Sequence, residues 1–201
     1  ALQQRKGTTM LSPIDIRVNL RGWVCAHLST GAHDVLIDEL GFVNRHEGKT
    51  VDLSFRADLA LANGRLVAFE IKSGADSLKR WPDQCQAYSN VFDEIWLCTH
   101  GRHLEKALSV TPKGIGILIV DDLGGLAVLR HAQLNQKTNP FDLSGLLWRN
   151  ELEELCVKHD IKFRSRETKS EIRKLVSHTV PHEALREFVL RQLKMRKGDL
   201  N

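Results

Sequence analysis

Asp58, Glu70 and Lys72 lie in two segments whose apolar side chains alternate. In residues 51–62, Val51, Leu53, Phe55, Ala57, Leu59 and Leu61 recur at every second position, and Asp58 falls among their alternates. After Asn63-Gly64, residues 65–72 place Val67, Phe69 and Ile71 on one face of a strand and Glu70 and Lys72 on the other. Two carboxylates and an ammonium are costly to bury in a sheet unless they pair or hold a metal. Metal-dependent phosphodiester hydrolysis needs this set. Carboxylates hold hard cations such as Mg²⁺ or Mn²⁺ through oxygen. The cation acidifies water and steadies the phosphate charge, and a lysine orients the water or neutralises developing charge. The alternative is a buried ion-pair cluster with a purely structural role.

Strand register offers an independent check. Asn63-Gly64 is a strong hairpin signal. A strict two-residue turn would set Asp58 opposite Phe69, on the other face from Glu70. The apolar pattern prefers a shift by one, with Leu59 and Leu61 on the face of Val67, Phe69 and Ile71. That shift needs a bulge or an odd-length loop, and it brings Asp58 onto the face of Glu70 and Lys72.

The elements around this hairpin follow from pattern. Ser12-Pro13 starts a helix, carried on by Ile14, Val18, Leu20, Val24 and Leu28. A second helix is expected over 33–40, ending at Gly41 and carrying Asp38 and Glu39. Residues 77–92 read as a helix that Pro82 kinks or restarts. Residues 94–99 and 116–120 are buried strands, with a short helix at 104–108 between them, and Gly124-Gly125 turns into a strand at 126–129. Continuous apolar strands separated by helices indicate an α/β fold covered on both faces.

At these residues the sequence resembles the PD-(D/E)XK nuclease superfamily, and within it small stand-alone bacterial members. The resemblance rests on Arg56-Ala-Asp58 and Phe69-Glu70-Ile71-Lys72-Ser73, although Ala57 stands where many members carry Pro. Gln84-x-x-x-Tyr88 matches the QxxxY helix motif of the RecB-like branch. The resemblance implies a restriction-endonuclease-like mixed sheet flanked by helices. It implies cleavage of DNA phosphodiesters with Mg²⁺ or Mn²⁺, in repair, mobile-element or defence biology, with RNA as an alternative substrate. Asp58, Glu70 and the Ile71 carbonyl would hold the metal, Lys72 would position the water, and Gln84 and Tyr88 would support metal and phosphate. Glu39 matches a further acidic ligand, with Asp38 its competitor. Two rival readings are a catalytically inactive DNA-binding protein on the same fold and a protein-interaction module with no nucleic-acid role.

Charge is uneven along the 201 residues, whose formal net charge is +4. Residues 156–201 carry 12 Lys/Arg against 6 Asp/Glu, whereas residues 1–155 carry 17 against 19. A basic tail on a near-neutral body suits an anionic polymer. The tail resembles SAP-like helix–loop–helix DNA-binding modules. Lys158, Lys162, Arg164, Arg166, Lys169, Arg173 and Lys174 are its candidate phosphate contacts, which give affinity without sequence readout. The expected division is a nuclease-like core over 1–130, a linker over 131–144 and a small all-helical basic domain over 145–201.

Cys25, Cys85, Cys98 and Cys156 form no CxxC pair and read as core or half-buried thiols of a cytoplasmic protein. His100 and His103 have ligand-like spacing but no partner motif. No apolar run is long enough for a membrane span, and Ala1-Leu2-Gln3-Gln4-Arg5-Lys6 leads into no secretory leader. No membrane partner is expected, and a homodimer is compatible with the sequence.

Overall fold

The computed structural model describes residues 11–28, 31–45 and 50–198; the N-terminal stretch read above for a leader lies outside them. The fold is α/β, with one six-stranded mixed sheet flanked by helices. The strands lie in chain order: β1 (Val35–Asn44), β2 (Leu53–Ala62), β3 (Leu66–Lys72), β4 (Glu94–His100), β5 (Gly116–Val120) and β6 (Leu126–Arg130). β3–β4 and β4–β5 are parallel, and the other pairs are antiparallel.

Helix α1 (Pro13–His27) starts at a capping box, in which Ser12 and Asp15 satisfy each other's backbone donors. It covers one sheet face with Ile16, Leu20 and Val24, which pack on Leu59, Leu61, Val67, Phe69 and Ile71. Ile14 and Val18, expected on the buried stripe, are exposed. Two residues turn a helix by about 200°, so only one of the two apolar stripes faces the sheet. The other sheet face is covered by α2 (Trp81–Ser89), α3 (Leu104–Val110) and the C-terminal helices α4 (Pro140–Leu143), α5 (Arg149–Lys158), α6 (Lys169–Thr179) and α7 (His182–Gly198). Pro82 fits the first turn of α2, so the helix begins at Trp81 and residues 77–80 lie outside it.

The segment expected as a helix over 33–40 is strand β1. The reason lies in its packing. Val35 and Ile37 enter the same core as Leu40 and Phe42, so the strand changes face between Ile37 and Leu40. The resulting spacing of three imitates a helical stripe. β2 changes face at the same row: Phe55 and Ala57 share the core of Ala60 and Ala62, while Leu59 and Leu61 face α1.

The β2–β3 hairpin adopts the shifted register, with Leu59 opposite Phe69 and Leu61 opposite Val67. Asn63, Gly64 and Arg65 make the odd-length loop, and Gly64 takes φ +110°, which an L side chain resists.

Residues 131–139, expected as linker, form a strap tied to the core. Gln133 N donates to Gly114 O at 2.9 Å, Asn135 N to Asp93 O at 2.7 Å and Asn139 N to Asn90 O at 2.7 Å. Beyond it, Leu143, Leu152, Ile172, Val176 and Phe188 pack into the same cluster as Phe42, Tyr88 and Leu97. The tail helices therefore share the core of the sheet. Cys85, Cys98 and Cys156 are buried, and Cys25 is exposed; burial pushes the Cys85 and Cys98 thiols up to about 12. Among the described residues, no helix is long and apolar enough to cross a membrane.

Arg173, expected at the phosphate-binding surface, is spent inside the protein. Its Nη1 donates to Asp52 Oδ2 at 2.5 Å and its Nη2 to Phe141 O at 3.0 Å. The guanidinium lies 4.0 Å from the centroid of the Phe141 ring. Arg45 still pairs with Asp52 at 2.9 Å, but removing the Arg173 guanidinium takes its donors from the Phe141 carbonyl and leaves the buried Asp142 without the cation 4.0 Å away. Arg173→Ala should therefore cost about 3 kcal/mol or more, while Lys174→Ala, on the exposed side of α6, should stay within about 0.5 kcal/mol of wild type. Urea unfolding of the two variants checks this, and an unperturbed Arg173→Ala protein would contradict it.

Candidate functional site

The site forms where the β2–β3 ladder stops. After Leu59–Phe69 the next pair in register would be Asp58 with Glu70. Instead, the Asp58 side chain takes the place of a backbone acceptor, and Ile71 N donates to Asp58 Oδ2 at 2.7 Å. The adjoining β1–β2 ladder also skips this row: Asp38–Leu59 and Leu40–Ala57 pair, but Glu39 and Asp58 between them do not. Glu39 has φ +54°, a left-handed conformation that is strained for a non-glycine residue. A cleft of about 590 Å³ opens there, lined by Arg56, Asp58, Glu70, Ile71 and Lys72 from the sheet and by Arg80, Asp83 and Gln84 from α2 and its start.

Glu70 is buried and held by three donors. Lys72 Nζ reaches Oε1 at 2.6 Å, Gln84 Nε2 reaches Oε1 at 2.9 Å, and the Tyr88 hydroxyl donates to Oε2 at 2.6 Å. Gln84 and Tyr88 address one group because residues four apart share a helix face. Tyr88 is itself fixed by edge contacts with Phe42 and Trp81. Burial first, and then the charge of Glu70, raise the Tyr88 phenol well above its ordinary value, so it stays a donor.

Asp58 is the uncomfortable member. Burial and the neighbouring Glu70 charge raise its carboxyl from 3.8 to about 6, against the pull of the Ile71 N–H, Lys72 and Arg17. The two carboxylates thus open into one cleft and feel each other. Among the described residues, Asp58 Oδ1 has no hydrogen-bond partner, and Gln84 Oε1 is buried without one. A hard cation suits this donor set: two carboxylates under mutual repulsion, and oxygen atoms without partners.

The other expected residues fall as follows. Glu39 is on a strand, where Arg17 and Arg56 pair with it at 3.3 Å each. Asp38 pairs with Arg21. Among the described residues, no three His, Cys, Asp or Glu side chains gather as a metal-binding group, so Glu39 does not join Asp58 and Glu70 in a triad. His100 and His103 turn to different partners, Asp122 and the Ser73 carbonyl. Lys158, Lys162, Arg164, Arg166, Lys169 and Lys174 are exposed on α5, α6 and the loop between them. Sequence reasoning missed Arg17, Arg80 and Asp76. Asp76 caps the turn after Lys72 by accepting from Ser73 N and Oγ at 2.8 and 2.6 Å; its signal was the Ser73-x-x-Asp76 spacing. A second concavity of about 630 Å³ lies beside the strap, and among the described residues Lys137 is the one charged side chain in its lining.

The family described as bacteriophage P4 protein cII matches residues 26–200 of this sequence. The chain belongs to that family. Protein cII of Enterobacteria phage P4 is 28% identical over 146 residues, 71% of this chain and 55% of that protein. The chain therefore spans about half the length of this relative. A solved structure of a protein of unknown function from Silicibacter pomeroyi aligns over 83% of this chain and 100% of its own, at 17% identity and a TM-score of 0.42, too low for any conclusion about fold or function. The family match runs from the end of α1 to the end of α7 and so includes Asp58, Glu70, Lys72, Gln84 and Tyr88.

The Asp58 shift has a signed consequence. Its carboxyl binds more protons folded than unfolded between 3.8 and about 6. Its contribution to stability therefore falls as pH rises through that window and is fully unfavourable above it. In EDTA, Asp58→Asn, which keeps an acceptor for Ile71 N, should be more stable than wild type above about pH 6, and the gain should vanish below about pH 4. Urea midpoints on both sides of the window measure this. A gain that is independent of pH would show that the Asp58 charge is not its cause.

Proposed function

We propose that the chain is a metal-dependent nuclease on a restriction-endonuclease-like, PD-(D/E)XK core, hydrolysing DNA phosphodiesters. The observation that carries the reading is the meeting of Asp58, Glu70, Lys72, Gln84 and Tyr88 at one break in the sheet. Asp58 and Glu70, with the Ile71 carbonyl beside them, would hold Mg²⁺ or Mn²⁺. When bound, such a cation supplies charge neutralisation at the phosphate and a more acidic water. Asp58 Oδ1 offers the open oxygen. Tyr88 and Gln84 keep the Glu70 carboxylate in one orientation. Lys72 brings an ammonium to the cleft, where it orients water or offsets charge developing on the phosphate.

The exposed lysines and arginines of the α5–α6 region support backbone contact with DNA, and RNA is the alternative polymer. Of the three contexts for such an enzyme, the family relationship to a phage protein favours the mobile element. A second reading, an inactive DNA-binding protein, draws on the three donors that already satisfy Glu70, since a closed network of this kind is also a stable structural motif.

Incubation with single- and double-stranded DNA and RNA in Mg²⁺, Mn²⁺ or EDTA separates the readings. Cleavage should require a metal, and Lys72→Ala and Glu70→Gln should each slow it by about 100-fold or more. Lys72→Ala should leave metal binding largely intact, while Glu70→Gln weakens it. Absence of cleavage under every cation, with salt-dependent DNA binding retained, would establish the inactive binder. Absence of both would leave the protein-interaction module. Cleavage undiminished in Lys72→Ala would move the site elsewhere. Replacing Lys162, Arg164 and Arg166 by Gln should flatten the slope of log affinity against log salt on duplex DNA by about 0.9 for each phosphate that no longer meets a cation.

A further inference from the structure

Glu39 stands in the same row as Asp58, in strained backbone, and its carboxylate is shared by two guanidinium groups. Arg17 Nη2, from α1, lies 3.3 Å from Oε1, and Arg56 Nη1, from β2, lies 3.3 Å from Oε2. Both distances exceed the roughly 2.7–2.9 Å of a good charge-assisted hydrogen bond. Arg17 Nε is buried with no hydrogen-bond partner. Arg56 lines the cleft, and its side chain is 61% exposed. Two cations on one carboxylate leave a surplus positive charge and unused N–H donors. The charge of Arg17 also reaches Asp58, so the cluster and the carboxylate pair belong to one electrostatic region. The planar fork of a guanidinium matches the oxygens of a phosphate.

We propose that Arg17 and Arg56 form an anion-binding site at the edge of the cleft that takes a phosphate of the nucleic-acid backbone, with Glu39 as the resting counter-ion that the phosphate displaces. The proposal rests on the nuclease reading for the polymer that enters the cleft, and it assigns Glu39 a role opposite to that of a ligand. Glu39 competes with the phosphate and keeps the two guanidinium groups in place while the cleft is empty. Its strained backbone suits such a device, because the carboxylate is held at the row of Asp58 without taking part in the ladder.

The test uses the full chain in EDTA, so that binding is read without cleavage. The probes are a fluorescein-labelled single-stranded DNA and the same sequence with uncharged methylphosphonate linkages, followed by anisotropy over a salt series. Arg17→Gln and Arg56→Gln should each weaken binding of the charged probe by about tenfold and reduce its salt slope by about 0.7. Glu39→Gln should tighten it severalfold, and the methylphosphonate probe should show none of these differences. Glu39→Gln that weakens binding or leaves it unchanged overturns the proposal. So do Arg56→Gln at wild-type affinity and a wild type that does not bind the charged probe. If Arg17→Gln does not fold, as its thermal transition will show, Arg56→Gln and Glu39→Gln decide alone. Failure of this inference and of the nuclease reading remain distinguishable. The expected shifts without any cleavage sink the enzyme and leave the anion site, whereas cleavage without the shifts sinks the anion site alone.

Discussion

The hydrogen bond from Ile71 N to the Asp58 carboxylate is the contact on which the site depends. In a continuous antiparallel ladder the β3 backbone donor would meet a β2 carbonyl, and no cleft would exist. Here a side chain supplies the acceptor, so the strands part without leaving a buried donor unsatisfied. The same substitution fixes Asp58 next to Glu70. One interaction therefore opens the sheet and sets one of the two carboxylates, while the parallel pairing of β3 with β4 continues past Glu70 as far as Lys72 and Thr99.

The rest of the molecule holds this break in place from a distance. Helix α2 sets Glu70 through Gln84 and Tyr88, and is itself anchored where Trp81 Nε1 donates to Thr111 Oγ1 at 3.0 Å. The C-terminal helices grip β2 near both ends. Arg173 of α6 pairs with Asp52, just before the strand. Arg186 of α7 donates to the Gly64 carbonyl in the hairpin loop and pairs with Asp93. A strand held at its two ends can depart from its ladder in the middle without sliding in register. This gives the basic tail a structural role besides any contact with nucleic acid, and it fits a family match that extends through α7.

The hairpin and its register were legible in the sequence because two constraints agreed there. Leu59 and Leu61 could share a face with Val67, Phe69 and Ile71 only in the shifted register, and Asn63-Gly64-Arg65 could make the loop it required. The Gln84 and Tyr88 pairing was legible from the resemblance to the QxxxY motif, and helix geometry agreed with it, because residues four apart share a face. Strand β1 was not, because its change of face at Glu39 gives Ile37 and Leu40 a helical spacing, and a backbone with positive φ at a glutamate leaves no trace in composition. Arg173 was equally opaque. Its partners Asp52 and Phe141 are remote in sequence, and a lysine-and-arginine count assigns every cation to the surface. Arg17 escaped for the same reason: its meaning lies in Glu39, across the sheet edge from α1.

The two carboxylates of the cleft are chemically unequal, and the inequality comes from who satisfies them. Glu70 has an ammonium, an amide and a phenol. Asp58 has one backbone N–H and an otherwise repulsive neighbour. Under the nuclease reading this asymmetry has a use. The Lys72 ammonium lies 2.6 Å from Glu70 Oε1, so a phosphate in the cleft would share its charge with Glu70. If it turns to the phosphate, Gln84 and Tyr88 still hold Glu70, one on each oxygen, so the carboxylate keeps its orientation while its charge becomes less compensated. Less compensation at Glu70 and repulsion at Asp58 both strengthen the pull on a cation. The donors that make Glu70 look satisfied are thus compatible with a working site, provided that the charged one is free to move and the neutral ones are not. Tyr88 meets that condition, being wholly buried among Phe42, Trp81 and Phe92.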